Sequence, residues 1–227
     1  MAENSTKASI KYWEGVNADV DGMLGGIPQV PEYAHIDKVD IQSSKNLLAK
    51  LGFGARKGLR LAENALEGGA GIGRVTEALL VKVAKQVDVI EPVAKFTAGL
   101  QGKPVIRNIF NVGLEDWRPN EGDQYDLIWT QWCVGYLDDE QLVDYLKRCK
   151  EVLTPKTGVL VIKENIATDN NDVWDETDSS VTRADVKFHK IFKQAGMRLV
   201  KSEIQRGLPQ NASVTLFPIY MYALKPE

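Results

Sequence analysis

The 227-residue sequence predicts a doubly wound α/β fold, an expectation that three observations carry. Segments with strand character alternate with segments of helical periodicity along most of the chain. The strand segments are short apolar runs rich in Val, Ile and Leu, as expected of a sheet covered on both faces. The stretch NALEGGAGIGRVTEAL, Asn64 to Leu79, sets a glycine-rich turn between the first strand and a helix, at the carboxyl edge where such sheets bind ligands.

The elements follow in order. ASIKYWEGV reads as a short amphipathic helix. DGMLGGIPQVPEYAHID, broken by glycines and prolines, reads as loop. SSKNLLAKLGF reads as a helix, followed by a strand near Glu63 to Glu67, the glycine turn, and a helix from about Arg74 to Lys85. QVDVIE is a strand, PVAKFTAGL a helix, and KPVIRNIFNVGL contains a strand. YDLIWTQW is an apolar strand, with Trp129 a core residue. DDEQLVDYLKRCKEVL is a helix with acids early and bases late, as its dipole prefers. TGVLVIKEN is a strand, and RADVKFHKIFKQAGM a helix ended by Gly196. RLVKSEIQ and VTLFPIYMYALK form a closing antiparallel pair.

Composition bounds the function. A chain of 227 residues is one compact domain, long enough to bury about 70% of its unfolded surface. Hydrophobic residues at 44% and charged ones at 26% make an ordinary globular balance, and the net charge of −3 argues against a nucleic-acid partner. Cys133 and Cys149 have no metal-site or CxxC spacing, so they read as reduced structural thiols, and no metal is expected. The start MAENSTKASIKYWEG lacks the apolar core of a secretory signal, and no apolar run approaches the ~20 residues of a membrane span.

The glycine turn carries the chemistry. A phosphate-binding P-loop would close with G-K-[ST], but Arg74 and Val75 follow Gly73. A dinucleotide fingerprint would put its third glycine where Arg74 stands. The spacing is instead E-x-G-x-G-x-G: Glu67, Gly69, Gly71 and Gly73. Missing Cβ atoms let the backbone approach a ligand closely. Glu91, 22 residues after Gly69 and at the end of the second strand, is placed to accept hydrogen bonds from both hydroxyls of a ribose. A glycine-rich turn without ligand, and a Glu that merely caps the next turn, are the plain alternatives.

A third feature is charge. Six acids (Glu164, Asp169, Asp172, Asp175, Glu176 and Asp178) follow the fifth strand, with no Lys or Arg between Lys163 and Arg183. Such a run is either a solvated loop or the rim of a funnel for a cationic substrate. Trp132, at the end of the fourth strand, reads as a cleft residue.

The glycine turn resembles motif I of class I S-adenosylmethionine-dependent methyltransferases. Together with YWEG, VDGMLGG, IWTQWCVGYL, IKEN and DSSVTR, from about Tyr12 to Leu224, the sequence resembles the protein α-N-terminal methyltransferase family. That resemblance implies a class I, Rossmann-like, mostly parallel seven-stranded sheet with an N-terminal helical extension (1–58) ahead of the methyltransferase domain (59–227). It implies S-adenosyl-L-methionine as methyl donor, S-adenosyl-L-homocysteine as product, and the free α-amine of proteins beginning X-Pro-Lys or X-Pro-Arg as acceptor. It also implies a cytoplasmic or nuclear monomer acting on the tails of protein substrates, ribosomal proteins among them, with no nucleic-acid or membrane partner. By resemblance, Trp13, Met23, Gly69, Gly71, Arg74, Glu91, Leu114, Glu115 and Gln131 hold the cofactor, the adenine lying between backbone groups of Leu114 and Glu115. Leu24, Trp132, Asn165, Asp175, Asp178 and Ser180 hold the peptide, and Asp178, Tyr136 and Asn165 serve the chemistry.

The residue types suit these roles. An indole face such as that of Trp132 fits a flat proline ring. Asn165 can both donate to and accept from a backbone amide. Asp175 and Asp178 attract the cationic third residue and the amine. The chain departs from the family pattern in three places: Tyr136 stands where many members have His, Phe217 where Tyr is frequent, and IPQVPEY after DGMLGG is unusually long. Tyrosine, with a reference pKa near 10, is a poorer base at neutral pH than histidine, which shifts the weight of proton handling towards Asp178, with Tyr136 as a partner that receives or relays the proton. His35 and His189 lie outside the motifs and read as ordinary loop and helix residues. A class I enzyme acting on a small amine or carboxylate, or a cofactor-fold scaffold without activity, are the rival readings.

Overall fold

The computed structural model describes residues 2–209 and 213–227, with side chains described from residue 6 of the first helix onward. Helix α1 (Ala2–Gly15), the single turn α2 (Val20–Met23) and helix α3 (Ile36–Lys50) precede the first strand. Between α2 and α3 the chain forms two 3-10 turns, at Ile27–Gln29 and Pro31–Tyr33, where a plain loop was expected. Pro28 is the second residue of one turn and Pro31 the first of the other, where the fixed proline φ is already helical.

Five strands then alternate with helical segments: β1 (Ala62–Gly68), β2 (Ala84–Ile90), β3 (Ile106–Phe110), β4 (Leu127–Gln131) and β5 (Val159–Asn165). Helix α4 (Arg74–Ala78) follows β1 and helix α5 (Asp139–Val152) follows β4. Strands β6 (Val173–Asp175) and β7 (Ser180–Thr182) form a separate two-stranded hairpin, and helix α6 (Asp185–Gln194) leads to β8 (Met197–Ile204) and β9 (Ile219–Pro226). The main sheet has seven strands in the order β3-β2-β1-β4-β5-β9-β8. The first five are parallel, and β9 runs antiparallel to both β5 and β8. This is the doubly wound, mostly parallel seven-stranded sheet the sequence predicted.

Side chains alternate across it with period two. Ala65, Val87, Leu127, Trp129 and Val161 face a layer that includes Ile41, Leu47 and Leu48 of α3 and Val75 of α4. Leu66, Ile128, Leu160, Ile162 and Tyr222 face the opposite layer, with Leu142, Leu146 and Cys149 of α5 and Phe188 and Ile191 of α6. Both faces are apolar, as a sheet covered on both sides requires.

Two helices fall short of expectation. The helix after the glycine turn stops at Ala78: Leu79 leaves helical geometry (φ −126°), and a 3-10 turn at Leu80–Lys82 leads directly into β2. The apolar run ALLVKVA fits helical spacing, but pairing of Ala62 with Ala84 commits its end to the sheet. PVAKFTAGL forms only a 3-10 turn, Thr97–Leu100. Lys95 Nζ donates to the carbonyls of Glu14 and Val16, tying this segment to the end of α1. The hairpin of β6 and β7 was not expected at all.

The N-terminal segment closes over one end of the sheet. Leu24, Tyr33 and Ile36 form a small apolar cluster against Ile27, Val30, Trp132, Leu208 and Leu216, and the Tyr33 hydroxyl donates to the Val214 carbonyl at 2.9 Å.

Candidate functional site

Strands β1, β2, β4 and β5 all end at the same edge, and two cavities open there. The first is lined by residues of α1, the glycine turn, the ends of β2 and β4, and the loop after β3. The second lies between Leu24, Ile27 and Ile36 of the N-terminal segment, Asn165 at the end of β5, the β6–β7 hairpin, and residues 215–219. Trp13, Met23, Trp132 and Tyr136 line both, so the cavities meet at these four side chains.

The glycines of the turn are held where other residues would clash. Gly69, Gly71 and Gly73 all have φ between 54° and 82°, the left-handed region that favours glycine. A Cβ on Gly69 would stand 2.5 Å from the Cys133 side chain, and one on Gly71 would stand 2.7 Å from Met23 Sδ. The turn is tied back to β2 by Glu91: the Gly71 N–H donates to Oε2 at 2.8 Å and the Val93 N–H to Oε1 at 2.9 Å. Glu91 is therefore a cap, as in the plain alternative, and also a cavity wall with lone pairs remaining. A bare glycine backbone, a carboxylate at the tip of β2, and an adjoining apolar slot of Phe96 and Leu114 fit a nucleoside ligand. Leu114 and Glu115 line that slot, their carbonyls accepting from Arg148 at 2.8 and 3.1 Å.

A buried network sits behind Trp132. Lys163 Nζ pairs with Asp40 Oδ1 at 2.5 Å, both side chains fully buried, and also donates to Ser44 Oγ. Arg74 bridges Asp40 and Asp37 at 2.8 and 2.7 Å. Gln131 Nε2 donates to both oxygens of Asp40, and its Oε1 accepts from the Trp129 indole. Burial pulls the Lys163 ammonium down to about 8, and it remains charged opposite Asp40 at neutral pH. Burial pushes Asp40 up, but the Lys163 and Arg74 charges prevail and hold it below the usual carboxylate range. The Arg74 guanidinium and Lys163 ammonium lie 5.5 and 6.0 Å from the Trp132 ring, within cation–π range. Gln131 and Arg74 thus line the first cavity with most of their polar capacity engaged inside the protein.

In the second cavity Asp178 is fixed by two donors. The Tyr136 hydroxyl donates to Oδ2 at 2.8 Å and the Ser180 N–H to Oδ1 at 3.1 Å. Burial and the adjacent Asp178 carboxylate raise the Tyr136 pKa well above its ordinary value. Tyr136 therefore stays protonated and donates to Asp178, a geometry that suits a relay better than a second base. Trp13 stands edge-on to Tyr136, ring centroids 6.1 Å apart. Asn165 and Ser180 line the same cavity. Asp175 does not: it is exposed, accepts from the Thr177 N–H, and pairs across the hairpin with Ser180, which puts it at the rim.

All other predicted site residues line one cavity or both. Sequence reading assigned no role to Leu216, took Cys133 as a structural thiol, noted Phe217 only as a departure from the family pattern, and took Glu164 only as one acid of a run, although all line these cavities. The position of Glu164, one residue before Asn165 at a strand end, was the available signal. Among the described residues no group of His, Cys, Asp and Glu could hold a metal ion.

Comparison with known proteins agrees with this geometry. The family described as AdoMet-dependent proline di-methyltransferase matches residues 1–225. "Alpha N-terminal protein methyltransferase 1" of Schizosaccharomyces pombe is 42% identical over 221 residues, covering 96% of this chain and 95% of that protein. "N-terminal Xaa-Pro-Lys N-methyltransferase 1" of Homo sapiens is 39% identical, covering 94% and 92%. The structure of a SAM-dependent methyltransferase from Leishmania major superposes with a TM-score of 0.83 at 36% identity, covering 97% of this chain and 83% of the other.

Two expectations follow. Gly71→Val adds a side chain where φ is +54° and Met23 is 2.7 Å from the new Cβ; S-adenosylhomocysteine affinity by calorimetry should fall about 100-fold or more. Unchanged affinity in the folded variant would remove the glycine turn from the site. The second concerns pH. Burial raises the carboxyl pKa of Glu67 to about 8, of Glu164 to about 7, and of Glu91 and Glu115 upward. A carboxyl raised in the folded state binds more protons there than in the unfolded chain, so stability falls as pH climbs through that interval. Urea unfolding should give a free energy at least ~1 kcal/mol lower at pH 8 than at pH 5, and Glu67→Gln should flatten the slope. A profile that rises over this range refutes the assignment.

Proposed function

Because the chain belongs to the AdoMet-dependent proline di-methyltransferase family, it is an S-adenosylmethionine-dependent enzyme, and we propose that it methylates the free α-amine of proteins whose processed termini read X-Pro-Lys or X-Pro-Arg. The observation that carries the reading is the meeting of two cavities at Trp13, Met23, Trp132 and Tyr136: one has a nucleoside-shaped cradle, the other a carboxylate at the same junction. The first cavity takes the cofactor on Gly69, Gly71, Glu91, Leu114 and Glu115, with Arg74 and Gln131 behind it. The bound cofactor supplies a methyl group on a sulfonium, an electrophile that needs no further activation.

The protein's work is then binding, alignment and proton removal. The proline ring lies on the Trp132 indole, Asn165 pairs with the peptide backbone, and Leu24 and Ser180 close the sides. Asp175 at the rim meets the cationic third residue. An α-amine has a pKa near 8, against about 10.4 for a lysine side chain, so freeing its lone pair costs ~1 kcal/mol at pH 7. Asp178 receives that proton on the oxygens that Tyr136 and the Ser180 N–H hold in place. Alignment of nitrogen and methyl at ~3 to 3.5 Å supplies most of the remaining advantage. Under the same reading the enzyme works as a cytoplasmic or nuclear monomer on tails such as those of ribosomal proteins.

Mass spectrometry of peptides incubated with enzyme and cofactor tests the reading. A free Ser-Pro-Lys terminus should be methylated, while its N-acetylated form should be inert. Ser-Pro-Glu should lose roughly 10- to 100-fold in kcat/KM, because the rim charge now repels. Equal rates for Ser-Pro-Lys and Ser-Pro-Glu would refute the charge argument.

Asp178→Asn keeps size and hydrogen bonding but cannot accept a proton. Its kcat at saturating peptide should fall about 10²- to 10⁴-fold. Tyr136→Phe removes only a donor to Asp178 and should cost less, about 10-fold. An Asp178→Asn enzyme within about threefold of the unaltered protein would mean that water takes the proton.

A further inference from the structure

The turn that carries Trp132 and Tyr136 is held by groups to which no role in the reaction has been assigned. Trp132 has φ +53°, a left-handed conformation that a bulky residue rarely adopts. Successive backbone N–H groups after such a residue converge into a concave nest that favours an anion. Here the anion is internal. Glu164 Oε1 accepts from the Cys133 N–H at 2.8 Å and the Val134 N–H at 3.1 Å. The Trp132 N–H itself is taken by the Lys163 carbonyl at 3.0 Å, so two consecutive residues of β5 hold the start of the turn. From the other side Arg183, which is buried, donates to the carbonyls of Val134 and Leu137 and to Asp139 Oδ1. Glu164 and Arg183 therefore grip the same turn by its donors and its acceptors respectively.

We propose that Glu164 is a positioning residue of the methyl transfer: by filling the nest after Trp132 it fixes the indole against which the substrate proline stacks and the hydroxyl that orients Asp178. The proposal rests on the functional reading above for the identity of the substrate, and on geometry alone for the clamp. A neutral, purely apolar filler could not serve, because the Cys133 and Val134 N–H groups would then be buried without acceptors. The groups facing Glu164 are the Cys133 thiol and Tyr136 hydroxyl of the turn, the Asn165 N–H of β5, and the Arg183 guanidinium ahead of α6. Burial outweighs these donors and raises the Glu164 carboxyl to about 7, so the occupant of the nest changes charge in the physiological range.

Two measurements test the clamp. In amide NMR of the substrate-free protein, the Cys133 and Val134 resonances should shift with pH around a midpoint near 7, and the shift should vanish in Glu164→Gln. Cys133 and Val134 amides that Glu164→Gln leaves unshifted at every pH would overturn the contact. For function, Glu164→Ala should lower kcat/KM for the Ser-Pro-Lys peptide about 10- to 100-fold while leaving S-adenosylhomocysteine affinity within about threefold, and Glu164→Gln, which keeps an acceptor, should recover most of the loss. If Glu164 acts through the indole, its loss and that of Trp132→Phe should combine to less than their product in the double variant. Multiplicative losses, or a Glu164→Ala enzyme within about threefold of the unaltered one, would overturn the positioning role. Should the unaltered protein leave the peptide unmethylated while the amides still titrate, the functional reading falls and the clamp stands.

Discussion

The buried ion pair between Asp40 of α3 and Lys163 of β5 is the constraint on which the site depends. It joins the segment ahead of the first strand to the centre of the sheet at 2.5 Å, with neither side chain exposed. Taking both charges out of water is costly, and such a pair gains little over apolar packing unless its spare donors and acceptors are satisfied. Here they are: Asp40 also accepts from Gln131 and pairs with Arg74, and Lys163 also donates to Ser44. Removing either partner alone would strand the other, a loss of roughly 3–5 kcal/mol in buried pairs of this kind. The return for this arrangement is geometric. One carboxylate sets Gln131 and Arg74 in the first cavity and the cationic floor beneath Trp132 that separates it from the second.

The chemistry asks little of the protein in proton affinity and much in placement. Asp178 is held by a phenol and a backbone N–H, both of which donate to its carboxylate. Tyr136 therefore contributes orientation to the Asp178 carboxylate. The Trp13 ring against Tyr136 extends this wall to α1, so the helix that closes the first cavity also bounds the second.

Much of this was legible in the sequence, for identifiable reasons. Strands β4 and β5 are continuous apolar runs, and the glycine spacing after β1 has few structural explanations. Where reading failed, long-range contacts overruled local pattern. ALLVKVA has helical spacing, but sheet pairing from Ala84 claims its end. The β6–β7 hairpin lies within an acidic run whose charge hides two short β-prone segments, VWD and SVT. Glu164 read as one more acid because its partners, the N–H groups of Cys133 and Val134, lie 30 and more residues away and leave no trace in residue type. Asp175 matched a motif position but faces solvent at the rim.

The acids fall into two classes with opposite consequences. Asp169, Asp172, Asp175 and Glu176 are exposed, with Asp172 beside Lys187, and charge at such a rim acts within about 8 Å at physiological salt. Glu67, Glu91 and Glu164 are buried and Glu115 is half-buried, and burial raises each of them. If every one of these carboxyls were charged at once, the site would stabilise an incoming ammonium and make its deprotonation harder, since a nearby negative charge raises an amine's pKa. Burial works against ionisation of the inner acids and so reduces their share of that penalty, while the exposed acids carry the charge of the rim.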